Sequence, residues 1–256
     1  MEEKRINFNE NELQGRKNPR SLSTKYDDLT WGNFFLFFLT YLLLIVVISF
    51  FVSLVFVVID SLAGTGLNEG LMQIQYASLL ELGAFLITIL IFRSIRDFLK
   101  DQFDFTVLKK WSTYLYLLGA YVLVYAAQIL FIDVLEWEQA GSQIDLFGLN
   151  AIDLNVLNIL LLIFAFVVIA PITEEILFRG VLFGFLNRKI GVAFSILINL
   201  FLFGLLHPGH HFSTAIMALA FILLYVRTKS LITPILFHMI WNAMATYTLL
   251  SQVILG

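Results

Sequence analysis

The chain has 256 residues, of which 59% are hydrophobic and only 14% charged, with a net charge of −3 and a mean hydropathy of +0.87. Soluble domains run at roughly 45–50% apolar and about 25% charged, so a water-soluble globular fold is excluded. There is no cysteine, which excludes disulfides, thiolate metal sites and thiol nucleophiles.

The chain opens Met-Glu-Glu-Lys-Arg and stays polar without apolar period to about residue 30. This is unlike a cleavable signal peptide, so residues 1–30 are expected to form a polar cytosolic arm and the first apolar run an uncleaved anchor. Residues 31–256 then read as one membrane domain. Seven spanning segments are expected, at 33–59, 72–92, 112–132, 154–187, 191–207, 213–227 and 231–254. Phe35–Val58 holds no charge at all, and about 20 apolar residues suffice to cross a bilayer as a helix. Trp31 and Trp111 fit interfacial anchors. Residues 97–110, with Phe98, Leu99, Phe103, Phe105 and Leu108 among charges, read as a short amphipathic surface helix. The fourth segment is over-long and reads as a span plus a half-helix joined near Pro171. The expected fold is an all-α polytopic transmembrane helix bundle of seven or eight helices.

Every basic residue except Arg179 lies before segment one, between two and three, after four or after six. The other connections carry only acidic residues, among them Asp60, Asp133, Glu138 and Asp145. Positive charge stays on the cytoplasmic side, which places the N-terminus inside and the C-terminus outside.

The exception, Arg179, belongs to Pro171-Ile-Thr-Glu-Glu-Ile-Leu-Phe-Arg179-Gly180, inside an apolar stretch. Charges at such depth face a bundle interior or a wet cavity. Glu175 and Arg179 are one helical turn apart and can pair. Glu174 is left on another face, and an unpaired carboxylate in apolar surroundings can take up a proton. His207 ends segment five, and His238 shares a face of segment seven with Asn242. Pro171, Pro208 and Pro234 adjoin these groups, and kinks beside each of them suggest a shaped polar chamber. Glu174, His207 and His238 can hold a zinc-type divalent metal with a position open for water. Equally, Glu174 can deprotonate a bound water without metal, with His238 and Asn242 stabilising the oxyanion. Either route is amide hydrolysis. HExxH is absent.

These residues resemble a family. Glu174-Glu175-x-x-x-Arg179, Phe203-x-x-x-His207 and His238-x-x-x-Asn242, in that order, look like the three motifs of the CPBP intramembrane proteases. That family takes in the CAAX prenyl endopeptidases and the bacteriocin-processing, Abi-type proteins. The motif region covers about 154–250. The resemblance implies that Glu174 activates water and that His207 positions it or binds a metal. It implies that His238 and Asn242 support the oxyanion or the metal, and that Glu175 and Arg179 hold the site together. It further implies a membrane-associated peptide or protein substrate, no nucleic-acid partner, and a bacterial plasma membrane; the oligomeric state stays open. Two other readings share the scaffold. One is a non-catalytic membrane partner, such as a bacteriocin-immunity factor or a sensor-kinase modulator. The other is a transporter using Glu174 and the histidines as a proton relay, although the paired broken helices of many transporters are missing.

Side expectations are that His210 and His211 are exposed loop residues and that Gly180-x-x-x-Gly184 allows close packing within the bundle. Glu81 and Gln128 are expected to bond between helices, and the many phenylalanines to face lipid. Depth poses a problem. At 1.5 Å per residue Glu174 is ~21 Å from Arg188, His207 ~27 Å from Lys189 and His238 ~14 Å from Lys229. Protrusion of the fourth segment would lower Glu174 towards His238, but His207 needs a tilt or kink to join them.

Overall fold

A computed structural model describes residues 29–64, 73–152 and 155–255. The expected arm therefore lies outside the described residues, apart from its last two positions. The described residues fold into nine helices and no strand. These are α1 (Trp31–Ala63), α2 (Ile74–Ile91), α3 (Arg93–Leu99), α4 (Trp111–Val134), α5 (Ser142–Leu146), α6 (Val156–Ile190), α7 (Val192–Leu205), α8 (His211–Thr228) and α9 (Ile232–Leu255). Five of them (α1, α2, α4, α6 and α8) are long and apolar enough to cross a membrane, and α7 is apolar but shorter. Trp31 and Trp111 are the first residues of α1 and α4. A helix satisfies its own backbone, so lipid can cover its apolar flanks. Accordingly Phe35, Leu39, Leu43 and Phe50 of α1 are exposed, while Phe34, Phe37 and Tyr41 turn inward.

The long α6 is continuous, which corrects the expected joint at Pro171. Two π-helical stretches, Ala165–Ile169 and Ile176–Phe183, flank the proline and widen the helix there. The Ala170 N–H bonds to the Ala165 carbonyl. The Phe166 carbonyl thus loses its ordinary donor, and the next residue in register is Pro171, which has no N–H. Asn242 of α9 supplies the missing hydrogen, its Nδ2 standing 2.9 Å from Phe166 O. In the second stretch Asn199 of α7 donates from Nδ2 to Phe178 O at 2.8 Å. The other two prolines do not kink helices either. Pro208 lies in the α7–α8 turn, and Pro234 lies in the first turn of α9, where no intrahelical N–H is required.

Gly191 closes the hairpin between α6 and α7 with φ 87° and ψ 166°, a conformation that only glycine adopts without strain. Measured from this pivot, Glu174 is ~24 Å along α6 and His207 ~22 Å along α7. The hairpin levels the two residues, which removes the depth problem: the basic residues were the wrong origin. His238 is only ~9 Å into α9. It meets α6 because the α8–α9 turn docks well short of the Gly191 end, where α6 overhangs it.

That dock corrects the amphipathic-helix expectation for 97–110. After α3 the chain makes two 3-10 turns, Lys100–Gln102 and Phe105–Lys109, and packs against protein. Leu231 N–H bonds to Gln102 O at 2.8 Å, and Ser230 Oγ donates to Asp104 O at 3.0 Å. Phe98 and Leu99 are buried against Gly184 and Gly180, where a Cβ would come within 3.2 Å and 2.7 Å of them. The small-residue pair therefore serves packing within the bundle.

α8 packs on both α4 and α7. At the α7 contact, a Cβ on Gly204 would meet the His211 carbonyl oxygen at 2.5 Å, a backbone atom that cannot step aside. Gly204→Ala should therefore destabilise the protein by about 1–3 kcal/mol, read as a lower midpoint in thermal unfolding of the detergent-solubilised protein.

Candidate active site

The centre of the site is a buried carboxylate. Glu175 and Arg179 are both fully buried, and Arg179 Nη1 donates to Glu175 Oε1 at 3.1 Å. The same oxygen accepts from His238 Nδ1 at 3.0 Å. The Arg179 guanidinium also lies 4.4 Å from the Phe203 ring centroid and 4.6 Å from that of Phe221, close enough for cation–π attraction. Those rings in turn stack on the two histidines, Phe203 on His207 at 4.4 Å and Phe221 on His238 at 4.6 Å.

The hydrogen bonds fix both tautomers. The carbonyl of Phe203 can only accept, so His207 Nδ1, 2.6 Å away, carries a hydrogen. The ion-paired Glu175 likewise makes His238 Nδ1 a donor. Each imidazole therefore presents a lone pair at Nε2. His207 Nε2 stands 3.9 Å from Glu174 Oε2, and both side chains are about one-quarter exposed. They open into a cavity of about 500 Å³ that Glu174, His207, His238 and Asn242 all line. Glu81 and Gln128 line it as well, and Tyr41 Oη of α1 donates to Glu81 Oε1 at 2.6 Å. Glu81 thus bonds between helices as expected, and both residues also face the cavity.

The six residues nominated from sequence therefore fall into two layers. Glu174, His207, His238 and Asn242 face the cavity, while Glu175 and Arg179 lie behind them. Asn242 has one amide hydrogen committed to Phe166 O, which narrows what it can offer a ligand. One carboxylate and two imidazoles are a zinc-type donor set. Yet among the described residues no group of three His, Cys, Asp or Glu side chains is placed to hold a metal ion. The donors do not fit a metal as they stand.

His210 departs from its expected exposure. Glu138, from the segment before α5, accepts the N–H groups of Phe212 and Ser213 at 2.6 and 3.0 Å, at the start of α8. His210 lies buried beside it, with Nδ1 3.7 Å from Glu138 Oε2 and Nε2 3.2 Å from Ser142 Oγ. Burial holds its pKa below the ordinary histidine value, against the opposing pull of Glu138. The covering segment comes from far along the chain and has no apolar period to announce it. His211 is exposed, as expected. The expectation that the phenylalanines face lipid fails at Phe203 and Phe221, the rings that hold Arg179 and the histidines; the place of Phe203 four residues before His207 was the available signal.

Residues 156–244 match the family model described as Type II CAAX prenyl endopeptidase Rce1-like. This C-terminal stretch is similar to that family. A curated relative, "Putative membrane peptidase YdiL" of Bacillus subtilis (strain 168), is 36% identical over 87 residues. That match covers 33% of this chain and 34% of the relative, so the chain spans about a third of the relative's length. No solved structure matches. The five long apolar helices and the likeness to a membrane-peptidase family make this a multi-pass integral membrane protein. The matched residues take in all three motifs, and the cavity reaches beyond them to Glu81 and Gln128.

Removing one partner of a buried ion pair leaves an uncompensated charge. Arg179→Met should cost about 3–5 kcal/mol in thermal or denaturant unfolding in detergent. The double change Arg179→Met with Glu175→Gln should recover part of that loss.

Proposed function

We propose that this protein is an intramembrane endopeptidase that hydrolyses a peptide bond of a membrane-associated peptide or protein. The observation that carries the reading is the approach of Glu174 Oε2 and His207 Nε2 to 3.9 Å inside the cavity. That separation is beyond direct hydrogen bonding and suits one water bonded to both. The likeness to the Rce1-like endopeptidase family and to a relative named for membrane-peptidase activity supports the same reading.

In this mechanism Glu174 takes a proton from the water as its oxygen attacks the scissile carbonyl. The oxyanion is met by the remaining amide hydrogen of Asn242. His238, with Nδ1–H turned to Glu175, offers its Nε2 lone pair to the water and not a hydrogen to the oxyanion. The C–N bond then breaks, and the Glu174 proton passes to the leaving nitrogen. Every step uses a side chain of this chain, and none needs a metal.

Glu174→Ala, His207→Ala and His238→Ala should each lower cleavage by at least about 100-fold while the protein remains folded in membranes. Comparing membrane peptides from cells carrying wild type or Glu174→Ala reads this directly: a product present only with wild type is expected. Its persistence in the variant would overturn the assignment of the base. Dialysis of the purified protein against a strong chelator should leave cleavage in place, and loss restored by added zinc would return the metal to the mechanism.

A further inference from the structure

The cavity holds a carboxylate that the proposed chemistry does not use. Glu81 lies midway along α2, on one face with Ile74 and Ser78, and this face lines the cavity opposite the motif helices. A carboxylate halfway along an apolar span is costly and is ordinarily paired. Tyr41 Oη donates a hydrogen bond to its Oε1 at 2.6 Å. A phenol hydrogen orients the carboxylate but brings no positive charge. None of the described residues lining the cavity is Lys or Arg. The buried guanidinium of Arg179 is engaged by Glu175 and two aromatic rings. A cavity lined by Glu81 and Glu174 with no fixed cation is electrostatically suited to a positive guest.

We infer that Glu81, oriented by Tyr41, seats a lysine or arginine side chain of the peptide substrate close to the cleaved bond. This rests on the endopeptidase reading and adds to it the charge of the substrate. Glu81 is in this view a specificity residue. It holds the guest's ammonium or guanidinium in the cavity while Glu174 and His207 act on the backbone.

The test uses the full chain in proteoliposomes and quenched-fluorescent apolar peptides, N-acetylated and C-amidated so that only a side chain carries charge. Lysine, norleucine or glutamate occupies one position, walked across four residues on either side of the cut. Wild type should favour lysine over norleucine by about tenfold or more in kcat/KM at one position, the discrimination of a single charge-assisted contact, and should disfavour glutamate. Glu81→Gln should bring the lysine-to-norleucine ratio near one, and Glu81→Lys should turn the preference to glutamate. Tyr41→Phe should lower the ratio without reversing it. These ratios are internal to each variant, so differences in folded amount cancel. A wild-type ratio near one at every position, or a lysine preference that survives Glu81→Gln, would overturn the inference and leave the endopeptidase reading standing. The native product of the Glu174 comparison gives a second readout: a cut with no lysine or arginine within four residues overturns the inference. If that comparison gives no product and no peptide is cut, the endopeptidase reading fails and this inference fails with it.

Discussion

A single carboxylate oxygen, Glu175 Oε1, accepts both Arg179 and His238 in a space closed to solvent. Burying three polar groups there is tolerable only because each answers another, and breaking the set would strand a charge in a medium of low dielectric. That constraint dictates much around it. It fixes the rotation of α9 against α6 and sets the tautomer of His238. It also requires Phe203 and Phe221 to cover the parts of the guanidinium that Glu175 does not reach.

Partition between the two layers follows from adjacency in sequence. Neighbouring residues on a helix point about 100° apart, so Glu174 and Glu175 cannot share a task. One faces the cavity and the other the packed interior. The aromatic rings divide in the same way. Phe35, Phe50 and Phe51 of α1 face outward to lipid, whereas Phe203 and Phe221 stand on polar groups, and composition alone does not separate the two uses.

The helices were legible in the sequence because lipid demands long uninterrupted apolar runs. The expected 112–132 is Trp111–Val134, and the expected 213–227 is His211–Thr228. The pairing of Glu175 with Arg179 could be anticipated from spacing and from the cost of intramembrane charge. Three things could not. The widened turns of α6 depend on a register that no residue type announces, although Pro171 four residues after Val167 hinted at a displaced bond. The height of His207 depended on where the hairpin turns, at Gly191, and not on where the basic residues lie. The burial of His210 depended on a segment brought in from Glu138 and Ser142, a pairing visible only in three dimensions.

The two widened stretches of α6 carry a consequence for how this helix can vary. A π turn accommodates one extra residue without shifting the phase of the helix on either side of it. Losing that one residue from 165–169 would restore the ordinary ladder and leave Glu174 and Arg179 on their present faces, whereas a one-residue change elsewhere along α6 would turn everything beyond it by about 100° about the axis. The widened turns are thus the places where the length of α6 can change at least cost to the site, and each holds a carbonyl that an asparagine of a neighbouring helix, Asn242 or Asn199, now caps.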